Sequence, residues 1–258
     1  MTPAKVCAMP PFSIKELTVF ITGTNKRKGI GRALVEEALQ RGAKKVYATA
    51  RDILQLEDLV ANHKGKVVPI ALDVTDIKQI QKVAKEASDT QVLINNAGVA
   101  SISGCLSGYN TQVAHQEMAV NYFAPLHLIQ AFSNSLIKNT RSAIVNIISI
   151  AGLYPAPTYV TYSASKAALR SLTQALRIEM ARKGHNIPVF GVYPGPIDTA
   201  MLHNVETQKE KPLNVARRVF DGMQQGVLDI TTDPLSDHFA DCLTQDANAL
   251  NALKQKAF

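Results

Sequence analysis

Three cysteines, Cys7, Cys105 and Cys242, are all that the 258 residues contain. They are odd in number and far apart, which speaks against a disulfide framework and against a zinc site, and a reducing, cytoplasmic setting is expected. Long apolar runs are missing too. None approaches the ~20 residues of a membrane-spanning helix, and Pro10, Pro11 and Lys15 break up an irregular leader over 1–15. There is no repeat, no low-complexity tract and no Ser/Pro/Gly-rich linker, so a single domain over 1–258 is expected. The chain is basic, with 28 Lys and Arg against 21 Asp and Glu. Its cations are scattered, however, apart from Lys26, Arg27 and Lys28. Scattered charge without a recognition helix argues against nucleic acid and for a phosphorylated small molecule.

What is present is alternation. Short apolar runs at Leu17 to Gly23, Lys45 to Ala50, Lys66 to Asp73, Gln91 to Gly98, Ala143 to Ser149 and Ile187 to Gly195 read as buried strands. Helical stretches between them, including Gly31 to Gln40, Ile77 to Ala87, Gln112 to Ile137 and Tyr159 to Arg182, are long enough for right-handed crossovers. The pattern predicts an α/β protein: one doubly wound parallel sheet of six to seven strands flanked by helices, with its ligand crevice at the carboxyl ends of the strands. Beyond Pro212 the pattern weakens to a helix at "LNVARRVFDGMQQ", a very short strand candidate at "LDITTDP" and a second helix over Asp237 to Lys254.

The first strand runs through "VFITGTNKRKGIG" into a helix. Gly23, Gly29 and Gly31 would let backbone approach a pyrophosphate at a helix N-terminus, although a tight strand-to-helix connection would use the same glycines. The second strand ends in Arg51. Arginine there suits the 2′-phosphate of NADP, whereas NAD asks for an acidic residue, and Asp52 is as readily a helix N-cap. NADP(H) is therefore expected over NAD(H). Further on, "TYSASKAAL" sets Tyr162 and Lys166 four residues apart on one helix face. An ammonium beside a phenol favours the phenolate, which would bring a group of pKa about 10 toward neutral acid/base chemistry.

Taken in order, the glycine turn, Asp73, "NNAG" at Asn95 to Gly98, Asn121 in "AVNYFAP", Ser149 in "NIISIAG", "YSASK" at Tyr162 to Lys166 and "YPGPIDT" at Tyr193 to Thr199 resemble the short-chain dehydrogenase/reductase family in its Rossmann form. The likeness covers roughly Leu17 to Met201. It implies Tyr162 as catalytic acid/base, Lys166 as its activator, Ser149 as the hydroxyl that orients a carbonyl and Asn121 as the anchor of a proton-relay water. It also implies cofactor contacts from Gly23, Lys28, Gly29, Ile30 and Gly31 at the turn, and from Arg51, Asp73 and Val74 beside the adenosine. Asn95, Ala97, Gly98, Tyr162 and Lys166 would lie along the ribose, and Pro194, Gly195, Ile197 and Thr199 around the nicotinamide. Two features depart from the family: five residues, Thr24 to Lys28, separate Gly23 from Gly29 where three are usual, and the last strand lacks a Gly-Gly ending.

The resemblance implies hydride transfer between NADP(H) and a carbonyl or alcohol, in a homodimer or homotetramer. Residues 199–212 are expected to form a substrate lid opposite Leu153, Tyr154, Pro155 and Tyr159. A competing expectation is a protein of the same fold that binds NADP(H) as a sensor without turnover.

Overall fold

A computed structural model of the chain describes residues 9–106, 111–198 and 209–243. Strands β1 (Thr18–Ile21), β2 (Lys45–Ala50), β3 (Val67–Ala71), β4 (Val92–Asn95), β5 (Ala143–Ile147), β6 (Val189–Tyr193) and β7 (Asp229–Thr231) form one sheet in the order β3-β2-β1-β4-β5-β6-β7. Every pairing is parallel. The sheet is the doubly wound Rossmann arrangement that the alternation predicts, and its strand order reverses between β1 and β4, opening a crevice at their carboxyl ends.

Helices α1 (Ile30–Gln40), α2 (Glu57–Asn62), α3 (Ile77–Glu86), α4 (Thr111–Met118), α5 (Ala124–Lys138), α6 (Val160–Arg182) and α7 (Pro212–Gln225) connect the strands, and α8 occupies residues 234–243. Strand alternation sorts the core into two layers. Val19 and Ile21 of β1 face α1 and α7, where they meet Leu34, Val215 and Met223; Phe20 faces the other way, toward Ile80, Phe132 and Leu176. The helices are built to match. In α3, Ile80, Val83 and Ala84 recur at the spacing of one helical face, and Asp76 caps the start by accepting from the Lys78 and Gln79 amides.

One polar ladder crosses this apolar interior. Asn95 Nδ2 donates to Asn146 Oδ1 at 2.8 Å, and Asn146 Nδ2 donates to Thr173 Oγ1 at 2.9 Å. All three residues are buried. The ladder links β4 and β5 to α6, with Asn95 Oδ1 left without a partner among the described residues. The helix that carries Tyr162 and Lys166 is thereby set on the sheet.

The structure departs from the sequence expectations in instructive places. The predicted helix from Gln112 to Ile137 is interrupted by a π-helical turn over Ala119–Phe123, centred on Asn121. The strand at Asp229–Thr231 is real but only three residues long. The tail helix starts before Asp237, because the carboxylate of Asp233 accepts from the Ser236 amide and caps residues 234–243 from one turn earlier. The part of that expected helix beyond residue 243 lies outside the described residues.

The Phe20 and Phe132 rings pack at 4.7 Å between centroids, both wholly buried. Phe132→Ala should cost about 3–5 kcal/mol of stability, read as a lower midpoint of denaturant unfolding at an unchanged slope.

Candidate active site

Sheet order decides where the site lies. A cavity of about 700 Å³ spans the carboxyl ends of the central strands and is walled by the loops that leave them. At its floor β1 gives way to the glycine turn. Gly23 has φ +69°, and a Cβ on Gly31 would stand 2.3 Å from the Gly23 carbonyl oxygen. Only glycine allows the start of α1 to press so closely against the strand end. Asn96 staples the turn from the side: its Nδ2 donates to the Thr22 and Gly23 carbonyls at 2.7 and 3.0 Å. Gly29, the N-cap of α1, makes no side-chain cap and the first turn holds no acid. The cavity wall there is Gly29, Ile30 and Gly31, so free helix N–H groups and the positive end of the dipole are available to an anion.

The turn's cations separate. Lys26 lines the cavity, whereas Arg27 reaches Asp58 at 3.2 Å. Lys28 is exposed and is not among the lining residues. Arg32, buried on α1, ties the loop down by bonding the Thr24 carbonyl at 3.4 Å, the Gln55 carbonyl at 3.0 Å and Asp58 at 3.0 Å. Arg51 lines the cavity and is exposed. Beside it, Asp52 caps the following 3₁₀ turn: Oδ1 accepts from the Leu54 amide at 3.0 Å and Oδ2 from Gln55 at 3.4 Å. Of the residues expected around the adenosine and ribose, Asp73, Val74, Ala97 and Gly98 line the cavity. Asn95 does not; it lies below the floor in the buried ladder with Asn146.

On the opposite wall stand Ser149, Tyr162 and Lys166. Ser149 Oγ donates to the Pro194 carbonyl at 3.3 Å and accepts from the Ala151 amide at 3.1 Å. Its hydroxyl also favours ionisation of the Tyr162 phenol. Lys166 Nζ donates to the Ile147 carbonyl at 2.9 Å and stands 5.7 Å from the centre of the Tyr162 ring. Asn121 is one layer down. Its Oδ1 accepts from the Val99 amide at 3.0 Å, and its Nδ2 donates to the Val99 carbonyl at 2.8 Å and to Ser165 at 2.9 Å. The π turn directs this side chain at the loop after β4, consistent with the tendency of such turns to occur at functional sites.

The electrostatics differ from the expectation that Lys166 acidifies Tyr162. Burial pushes the Tyr162 phenol up to about 12, opposed by the Ser149 hydrogen bond and reinforced by Glu117 and Tyr159. Lys166 is not among the influences on it. The lysine is itself drawn down to about 7 by burial. Desolvation disfavours both charged forms at once, so the pair sits as neutral phenol and half-neutral amine.

Pro194, Gly195 and Ile197 also line the cavity. The Gly195 amide donates to Asp233 Oδ2 at 2.8 Å, so the capping residue of α8 holds this loop as well. Sequence reasoning missed Asp233, although Asp followed by Pro is a helix-start signature that could have shown it. Thr199 and residues 199–208 of the expected lid lie outside the described residues. Either end of the segment is tied to the other, with the Asp198 amide donating to the Glu210 carbonyl and the Glu210 amide to the Pro196 carbonyl, both at 2.9 Å.

A family model described as short chain dehydrogenase matches residues 17–210. An uncharacterised oxidoreductase of Staphylococcus epidermidis is 29% identical over 219 residues, covering 82% of this chain and 93% of its own length. A short chain dehydrogenase of Burkholderia cenocepacia, solved in complex with NADP, superposes at a TM-score of 0.84 with 35% identity over 93% of this chain and 98% of that one. A short chain dehydrogenase/reductase of Burkholderia phymatum, solved with NAD, shares the fold at a TM-score of 0.81 and 22% identity, over 93% and 96% of the two chains.

The depressed lysine predicts how stability depends on pH. Lys166 titrates near 10.5 when unfolded and near 7 when folded. Between these values the unfolded chain binds the extra proton, so stability rises with pH across the window and is level below it. Lys166→Met removes this titration. Paired denaturant unfolding should then show the wild type gaining on the variant as pH rises from 7; a constant difference contradicts a neutralised lysine.

Proposed function

From the premise that this chain belongs to the short-chain dehydrogenase family, we propose that it reduces a carbonyl compound with NADPH, Tyr162 supplying the proton. The chain is an oxidoreductase of that family. One observation carries the proposal. Ser149, Tyr162 and Lys166 open onto the same cavity as the uncapped start of α1, so a dinucleotide bound by its phosphates at one end would have its other end beside two hydroxyls.

The chemistry of the lining fits that group. N–H groups at Ile30 and Gly31 suit a pyrophosphate, and Lys26 and Arg51 are cations left open to a 2′-phosphate. Asp52, the carboxylate that could instead hold a ribose diol, already caps a turn with both oxygens engaged. This favours NADP(H) over NAD(H), as does the NADP-bound Burkholderia cenocepacia relative. When bound, the dinucleotide supplies the hydride.

The chain's own residues handle charge and proton. Negative charge grows on the substrate oxygen during reduction and is best met by donors already in place. Ser149 and Tyr162, which line the same cavity, offer two hydroxyls to one oxygen. A phenol held near 12 keeps its proton at neutral pH, which suits it to donate rather than to abstract. Lys166, buried against the Ile147 carbonyl, fixes the floor beneath Tyr162 and restores its charge state from solvent near neutrality. Asn121 holds Val99 and Ser165, keeping the loop after β4 and the start of α6 in register. In this reading residues 199–212 close over the substrate, and the chain is a single domain acting as a cytoplasmic homodimer or homotetramer.

Tyr162→Phe should leave NADPH binding within about twofold of wild type and lower turnover on a panel of ketones and aldehydes by ~10²–10⁴-fold. Unchanged turnover refutes the proton-donor role, and tight NADPH binding without turnover by the wild type on any panel member favours a sensor. Arg51→Ala should weaken NADPH by about tenfold, or ~1.4 kcal/mol, with little change for NADH. An equal loss for both removes the 2′-phosphate contact.

A further inference from the structure

The peptide plane that joins Pro194 to Gly195 lies on the cavity wall next to Ser149. No peptide bond among the described residues is cis, so its carbonyl and its N–H point to opposite sides. The carbonyl faces the segment that leaves β5, where it accepts from the Ile150 amide at 2.9 Å and from the Ser149 hydroxyl at 3.3 Å. The N–H faces the other way, and its partner is Asp233 Oδ2 at 2.8 Å.

Asp233 is itself buried and held in place. Its Oδ2 accepts from the Thr232 hydroxyl at 2.9 Å as well as from Gly195, and its Oδ1 accepts from the Ser236 amide at 3.0 Å. The Asp233 amide donates to Ser236 Oγ at 3.0 Å, and that hydroxyl donates in turn to the Asp233 carbonyl at 2.8 Å. The carboxyl is thus pinned to the first turn of α8 before it reaches the loop. Its approach is close: a Cβ on Gly195 would stand 2.5 Å from Asp233 Oδ1, a space that only glycine leaves open. Capping a helix takes one such oxygen. The other is turned to the cavity loop.

We propose that Asp233 is a positioning residue of the active site: through Gly195 it holds this peptide in the orientation that turns the Pro194 carbonyl to Ser149, and so sets where that hydroxyl stands. The proposal rests on the reading of Ser149 as a donor to the substrate oxygen. A planar peptide turns as a unit, and glycine at position 195 lowers the cost of turning it, because its backbone admits angles closed to other residues. Turned over, the plane would take its carbonyl away from Ser149 and Ile150 and bring that carbonyl against the oxygens of Asp233. Acceptor would then meet acceptor, so the carboxyl opposes the turn. A residue at the start of α8 reaches the reacting hydroxyl through two hydrogen bonds and one rigid plane. Misplacing a reacting group by about 1 Å can cost ~10²-fold in rate.

Two variants separate capping from positioning. In Asp233→Ser the hydroxyl remains a good helix cap for the Ser236 amide but has no second oxygen for Gly195, whereas Asp233→Ala loses both contacts. Amide hydrogen exchange in the full chain should quicken about tenfold at Gly195 and Ile150 in both variants, as befits one lost hydrogen bond. At Ser236 it should stay as in the wild type for Asp233→Ser and quicken for Asp233→Ala. Turnover on the carbonyl panel should fall by ~10–10²-fold in both. A residue that only caps α8 predicts otherwise: Asp233→Ser would keep wild-type exchange at Gly195 and wild-type turnover. Wild-type exchange at Gly195 and Ile150 in either folded variant overturns the proposal, and so does wild-type turnover by folded Asp233→Ser. If the wild type reduces no member of the panel, it is the reductase reading that fails, while the exchange rates still decide whether Asp233 holds the peptide.

Discussion

A buried amine held 2.9 Å from a strand carbonyl is the contact on which the site depends. It joins α6 to the end of β5 at the level where Ser149 leaves the sheet, and so determines how far the Tyr162 hydroxyl stands from the Ser149 hydroxyl. The same burial that makes the contact strong removes the charge. In water, Lys166 would be a permanent cation able to acidify a neighbouring phenol. Inside the fold it hovers near neutrality, and the tyrosine keeps its proton. One desolvation effect thus accounts for both groups.

Much of the fold was legible because it rests on local rules. Strand alternation in Val19, Phe20 and Ile21 names both faces of the sheet, and the five-residue frame from Tyr162 to Lys166 marks one side of a helix. Glycines after β1 foretold a close approach, found at Gly31 against Gly23. Features that depend on distant partners were not legible. Arg32 reads as the outer face of a helix, yet it is buried across Thr24, Gln55 and Asp58. Glu117 reads as an ordinary helical acid. Asn95 and Asn96 are adjacent and identical, and only tertiary packing sends one into the ladder beneath the sheet and the other onto the glycine turn. The sign of the tyrosine's shift was missed for the same reason, since spacing reports the neighbour and says nothing of the solvent.

The cavity is walled by loops, but those loops are anchored to regular elements by side chains that point away from it. Asn121 and Glu117 hold the segment after β4, Arg32 holds the loop before α1, and Asp233 holds the segment after β6. Supporting groups on rigid elements keep reacting groups within the narrow tolerances that such chemistry needs. The π turn fits this division of labour: an extra residue in one helical turn re-aims Asn121 without moving the helix on either side.

The bridge between Ile197 and Glu210 has a bearing on how this protein can diversify. By clamping both stems, it makes whatever chain runs between them a closed insert, anchored to the wall near Pro196 whatever its length. Closing such an insert grows more costly only with the logarithm of its length, by about 0.6 kcal/mol per doubling. New residues could therefore be spliced between the stems with little disturbance to the hydroxyl pair below.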